Sequence, residues 1–181
     1  MSTRDDAAGP LPLVAFYRGG RDHRGRTLDE ILEWDWDQLE STHDYIQWLF
    51  PLRERSGANP AAPVLSTDDV AAFRDDADLR GRLQRAWRVM LAFYGFTVTQ
   101  TSPLQVRRSA DHQIRCRVWL YPGSHNFLRL TRMLRSLRTL GLEAEARATF
   151  AVLSQVVQEH PFAVSRTTYG FWQRAMHDAL Q

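Results

Sequence analysis

The sequence predicts an all-α protein, a compact single-domain bundle of about seven or eight helices. Three observations carry this. Apolar residues recur at a spacing near 3.6 over several long segments. Hydroxyl caps stand three residues before an acid at several helix starts. Strand-like alternation is scarce, and no internal repeat is present. A chain of 181 residues and 20.9 kDa buries about 70% of its unfolded surface, which suits one core.

Residues 1–12 carry acids and no apolar block, and are expected to form a disordered tail before a domain spanning 13–181. "LVAFYRG" (13–19) is too short to classify and reads as an extended arm. Thr27 and Glu30 form a capping box that opens one helix over "TLDEILEWDWDQLE". Ser41 and Asp44 form a second box, opening "THDYIQWLFPLRE", which Pro51 ends. Residues 53–63 are a loop rich in turn formers. Ser66 with Asp69 starts a helix near 67–74.

Leu79, Leu83, Trp87, Met90, Leu91 and Tyr94 line one face of a long helix over 77–94, with Gly95 in the position of a C-terminal glycine stop. Residues 96–108 form a linking loop with room for a short strand, and Ser109 begins a short helix to about Tyr121. Ser124 caps the next helix, whose inner face is Phe127, Leu130, Met133, Leu134, Leu137 and Leu140. Further helices follow over about 143–159 and after Ser165, the last with Tyr169, Trp172 and Met176 inward.

All 23 basic residues are arginine. This matches the codon bias of a GC-rich genome and indicates a bacterial source. Charge is unevenly divided. Residues 1–78 hold eight arginines against sixteen acids, and residues 79–181 hold fifteen against five. Either the two halves neutralise each other within the fold, or the basic half meets an anionic partner. The longest apolar stretch, Val89–Val98, is half of the ~20 residues a bilayer needs. No signal-peptide pattern opens the chain. A cytoplasmic protein without a transmembrane segment is expected. The single cysteine, Cys116, reads as a small buried hydrophobe rather than a nucleophile.

Metal and cofactor signals are missing. The six histidines show no HxxxH, HExxH or CxxC spacing. Phosphate-loop, dinucleotide and GxSxG patterns are absent, so no metal and no cofactor are expected. "STHDY" and "GSHNF" each place a histidine, His43 and His125, at a helix start beside a hydroxyl. Free N–H groups there suit an anion, although such histidines also simply tie neighbouring helix ends together. Arg129, Arg132, Arg135 and Arg138 occupy the arc opposite the apolar face of their helix. That arc either binds phosphates or docks on the acidic 29–44 segment. It lacks outward aromatics, which favours internal pairing.

Four stretches resemble one family: "FYRG" (16–19), "EWDWDQLESTHDYIQWLFPLRE" (33–54), "RAWRVMLAFYGF" (85–96) and "SHNFLRLTRMLRSLRTLGLE" (124–143). They are similar to the conserved N-terminal domain of the opioid growth factor receptor family, and the likeness covers most of residues 13–160. "YIQWLFPLRE" is its most specific element. Animal members are described as receptors for a short enkephalin peptide, found mainly at the nucleus and often assigned to membranes. They carry long tails after this domain.

The resemblance implies a non-enzymatic helical domain for peptide or protein recognition, with no catalytic residue to carry over. Within the matched motifs the expected ligand-binding residues are His43, Tyr45, Gln47, Trp48, Arg53, His125, Asn126, Arg129 and Arg132. The two segments are expected to converge on one cleft. Gln47 and Asn126 would bond a peptide backbone, Arg129 or Arg53 a carboxylate, and Tyr45 and Trp48 would form an apolar floor. Ile46, Leu49 and Phe50 are expected core. Two alternatives stand beside this: an enzyme on a small anionic substrate with His43 or His125 as general base, and nucleic-acid binding through the Arg129–Arg138 face.

Overall fold

A computed structural model of the chain describes residues 12–99 and 101–177. Among them are ten helices and one two-stranded sheet. The fold is helix-dominated rather than purely α-helical. The disordered tail expected over 1–12 lies outside the described residues, except Pro12, which begins the first helix.

That helix, α1 (Pro12–Tyr17), corrects the expected extended arm. Proline is at home in a first helical turn. Leu13, Val14, Phe16 and Tyr17 all turn inward, so burial rather than propensity holds this short helix. The Tyr17 ring packs edge-on against Phe73, 4.8 Å between centroids, and its hydroxyl donates to the Leu49 carbonyl at 2.5 Å.

The run 28–41 is two helices, not one. The Thr27–Glu30 box opens α2 (Leu28–Leu32) as expected. A second box, Asp35 with Gln38, then opens α3 (Trp36–Ser41). Asp35 is in extended conformation, with its carboxylate accepting from the Gln38 N–H at 2.8 Å. Its own cap therefore breaks the helix. The expected Ser41–Asp44 box does not form. Ser41 Oγ donates to the Asp37 carbonyl at the end of α3, Asp44 binds Arg24 and Arg26, and α4 (Ile46–Leu49) starts without a side-chain cap.

The Ser66–Asp69 box opens α5 (Thr67–Asp75). Asp76 caps α6 (Ala77–Phe93), whose Leu79, Leu83, Trp87, Met90 and Leu91 are buried. The segment expected as a linking loop with room for a short strand holds an antiparallel hairpin of two, β1 (Phe96–Thr99) and β2 (Gln105–Arg108), in register Phe96↔Arg108 and Val98↔Val106. Four residues with one buried side chain on β2 are too short for a period-2 signal to stand out. α7 (His112–Trp119) follows, then α8 (Asn126–Thr139), α9 (Glu143–Glu159) and α10 (Arg166–His177). The last three pack on one another, and β2 lies along α9. Trp172 is fully buried and donates to the Phe127 carbonyl.

Gly95 sits at φ +81°. A Cβ there would meet the His112 Cα at 2.8 Å and the Arg115 Cβ at 2.9 Å. Gly95→Ala is therefore expected to destabilise the fold by at least about 1–2 kcal/mol, from the left-handed conformation alone. Gly81, inside α6 with open space around it, gives the opposite result: Gly81→Ala stabilises by about 0.5–1 kcal/mol. Urea unfolding of both variants reads the contrast.

Candidate functional site

The segments around positions 45 and 126 meet, and Arg129 joins them. It projects from the first turns of α8 and is only 5% exposed. The end of α3 leaves carbonyls with no helical partner. The Arg129 guanidinium donates to three carbonyls there, of Leu39 (2.8 Å), Glu40 (3.2 Å) and Thr42 (2.8 Å). It donates further to His43 Nδ1 at 3.0 Å and to Asn126 Oδ1 at 3.4 Å. Its cation stands at a helix C-terminus, the favoured end, and over the Tyr45 ring at 5.6 Å.

Asn126, fully buried, adds a second tie. Its amide nitrogen donates to the Glu40 carboxylate at 3.0 Å, and its oxygen accepts from the Tyr94 hydroxyl. His125 precedes it at the N-cap of α8, and Ser124 Oγ accepts the Asn126 N–H. The rings of His43 and His125 stand edge-to-face, 5.0 Å apart. His125 Nε2 lies 3.4 Å from Glu40 Oε1 without hydrogen-bonding geometry. Burial first, then the Arg129 charge, lowers the His125 pKa from its ordinary value, against Glu40.

A groove of about 500 Å³ opens beside this junction. His43 and His125 stand at one side, Gln47, Arg129 and Arg132 line it, and Glu54, Arg55 and Arg135 close the far side, with Leu128 on the rim. Leu128 is 67% exposed, off the apolar stripe of α8. Gln47 is 5% exposed, and its Oε1 is buried without a hydrogen-bond donor. Such a group is costly to leave unsatisfied. Arg135 pairs with Glu54. Partial burial raises the Glu54 carboxyl, but the Arg135 hydrogen bond and charge, with Arg132 behind, hold it below the usual range.

Five of the nine expected residues thus line the groove: His43, Gln47, His125, Arg129 and Arg132. Four do not. Tyr45 is fully buried, its hydroxyl donating to the Leu39 carbonyl; burial pushes its pKa up to about 12. Trp48 is core rather than floor. Its indole packs on Phe16 at 5.2 Å and donates to His23 Nδ1 at 3.0 Å, and His23 in turn faces Asp44 at 3.5 Å. Asn126 spends its amide on Glu40 and Tyr94. Arg53 turns away to Thr67 Oγ1 at 3.4 Å. Arg129, expected as a carboxylate clamp, has its donors committed to the backbone. Sequence reasoning missed Glu54, Arg55 and Leu128, and placed Arg135 only on the basic arc. Glu54, Leu128 and Arg135 carried a signal, since all three fall inside the family-like stretches.

The basic arc of α8 is paired internally. Arg132 donates to the Phe50 carbonyl at 3.1 Å, and Arg138 to Glu143 at 3.1 Å and the Ala175 carbonyl at 2.7 Å. Only Arg129 reaches the 29–44 segment. On α7, Cys116 Sγ lies 3.3 Å from His112 Nε2, and burial pushes its thiol pKa up, away from nucleophile chemistry. Among the described residues no group of three His, Cys, Asp or Glu could hold a metal ion.

Fold and site define a helical domain with a surface groove lined by four arginines. The family described as opioid growth factor receptor (OGFr) conserved region matches residues 18–180, and the chain belongs to this family. It is 41% identical to the opioid growth factor receptor of Rattus norvegicus over 146 residues, 78% of this chain and 25% of that protein. It is 41% identical to that of Homo sapiens over 143 residues, 76% and 21%. It is 38% identical to the opioid growth factor receptor-like protein 1 of Mus musculus over 123 residues, 66% and 26%. The chain spans about a quarter of the length of these relatives. No solved structure matches it.

Arg129→Met is expected to cost about 3 kcal/mol, because it strands several buried carbonyls. Arg129→Lys recovers only part, since an ammonium lacks the planar fork; urea unfolding measures both. Burial also lowers His112 from its ordinary 6.5. For a histidine depressed in the fold, as His112 and His125 are, stability is fully present above the ordinary pKa and is lost as pH falls through the folded value. Stability is therefore expected to decline as pH drops below 6.5, and His112→Gln to flatten the decline, read by urea midpoints across pH.

Proposed function

We propose that this chain is a non-enzymatic recognition domain that holds a peptide segment of a protein partner in the groove between α4 and α8. The observation that carries this reading is Gln47, a groove-lining residue whose amide oxygen is buried without a donor. A peptide N–H is the partner it lacks. Exposed Leu128 offers apolar contact beside it. The relatives' printed names, opioid growth factor receptor and its like, support receptor-type binding; the ligand here is a peptide of the chain's own setting. Arginine-only composition supports a bacterial origin, although the relatives come from animals. No described helix is long and apolar enough to cross a membrane, and we keep the cytoplasmic placement as part of this proposal.

A second reading, an enzyme using a histidine as general base, has one specific observation in its favour: His43 and His125 both line the groove, with rings 5.0 Å apart. His43 is a poor candidate for that base. Its Nδ1 accepts from Arg129, so its proton sits on Nε2, and the exposed nitrogen is a donor. The base in this reading is His125.

Pools of capped hexapeptides titrated into the labelled protein are expected to shift the side-chain amide resonance of Gln47 and the rings of His43 and His125. Gln47→Leu is expected to weaken the best pool about fivefold, the loss of one hydrogen bond. Shifts confined to other faces, or none from any pool, count against the groove.

A further inference from the structure

The groove holds more positive charge than it uses. Arg55, Arg129, Arg132 and Arg135 face it, and Glu54 is the one carboxylate among its lining residues. Arg129 is committed to the α3 carbonyls. The others are not saturated. Arg132 has one recorded acceptor, the Phe50 carbonyl. Arg55 is exposed and makes no ion pair among the described residues. Arg135 is held by Glu54 alone. Arg132 and Arg135 stand three apart on α8, neighbours on one helix face; Glu54 pairs with Arg135, and the Arg132 charge acts on it from further off.

Glu54 is therefore placed as an acidic ligand group would be. It reaches Arg135 from a loop carrying Ser56, Gly57 and Ala58, and its side chain is 57% exposed. Exposed pairs of this kind contribute at most about 1 kcal/mol, so an incoming carboxylate can replace Glu54 at small cost. Planar arginine forks favour carboxylates, and charge complementarity selects among ligands more than it adds affinity.

On the reading that the groove binds peptide, we propose that its ligand is an acidic segment, that Arg132 and Arg135 take a Glu or Asp side chain of it, and that Glu54 is a built-in competitor for that position. Gln47 Oε1 receives a backbone N–H of the same segment, and Arg55 steers it from outside. Occupancy is thus set against an internal carboxylate, which lowers affinity for weakly acidic segments and sharpens preference for strongly acidic ones.

Three capped pentapeptides test this, alternating Leu with Glu, with Gln or with Lys, titrated by calorimetry with the Gln47 amide resonance followed in parallel. The Glu peptide is expected to bind at Gln47, tighter than the Gln peptide, with the Lys peptide weakest. Glu54→Gln is expected to tighten the Glu peptide about fivefold, the upper value of an exposed ion pair, and to leave the Gln peptide unchanged. Glu54→Ala serves as a second variant with the same expectation, and thermal midpoints verify that both fold. Equal affinity for Glu and Gln peptides, or no gain in either Glu54 variant, overturns the acidic-ligand proposal while groove recognition stands. Loss of every Gln47 shift removes both.

Discussion

One guanidinium decides where the groove is. Helix α3 ends against α8, and the Leu39, Glu40 and Thr42 carbonyls turn toward it. Something must satisfy them, because a buried carbonyl without a donor is costly. Arg129 does this from a helix that is remote in sequence, with donors to Leu39, Glu40, Thr42 and His43. The side chain is planar and always charged, so it fixes direction as well as distance. Fixing the end of α3 fixes the loop that carries His43 and the helix that carries Gln47. Asn126 and Glu40 repeat the tie one step away.

The division of charge along the chain has the same resolution. Acidic residues concentrate before position 78 and arginines after it. Folding brings several of them together: Arg85 to Asp29, Arg135 to Glu54, Arg129 towards Glu40. Exposed pairs of this sort add little stability individually. Their effect is to select one arrangement of the two halves over others, since like charges would meet in the alternatives. The groove is where this neutralisation is incomplete, and that imbalance gives the site its chemical character.

Most elements were legible because each carries its own local signal. α6, α8 and α9 announce themselves by periodic apolar residues, and Thr27 and Ser66 by capping boxes that form as read. Where two local signals competed, the reading failed. Asp35 with Gln38 breaks a run that Thr27 alone seemed to open, and Asp44 leaves its supposed box to bind Arg26. The first is a local box, its partners three positions apart, outweighed in the reading by the longer apolar run; the second depends on a partner eighteen positions away, which spacing cannot show. α1 and the hairpin are similar: each is short, and tertiary burial holds it. At the site, the convergence of His43 and His125 could be anticipated. Which face each aromatic shows could not. Tyr45 caps and Trp48 sits in a four-residue helix, too short for periodicity to separate inside from outside, and acceptors at Leu39 and His23 draw their polar tips away from the groove.

The bond from Arg129 to His43 Nδ1 carries one more consequence. It locks the imidazole into a single tautomer, with its outward nitrogen always a hydrogen donor. Gln47, four residues on, lines the same space. Whatever enters the hollow meets a fixed donor at that ring, which suits a carbonyl or carboxylate oxygen and not an N–H.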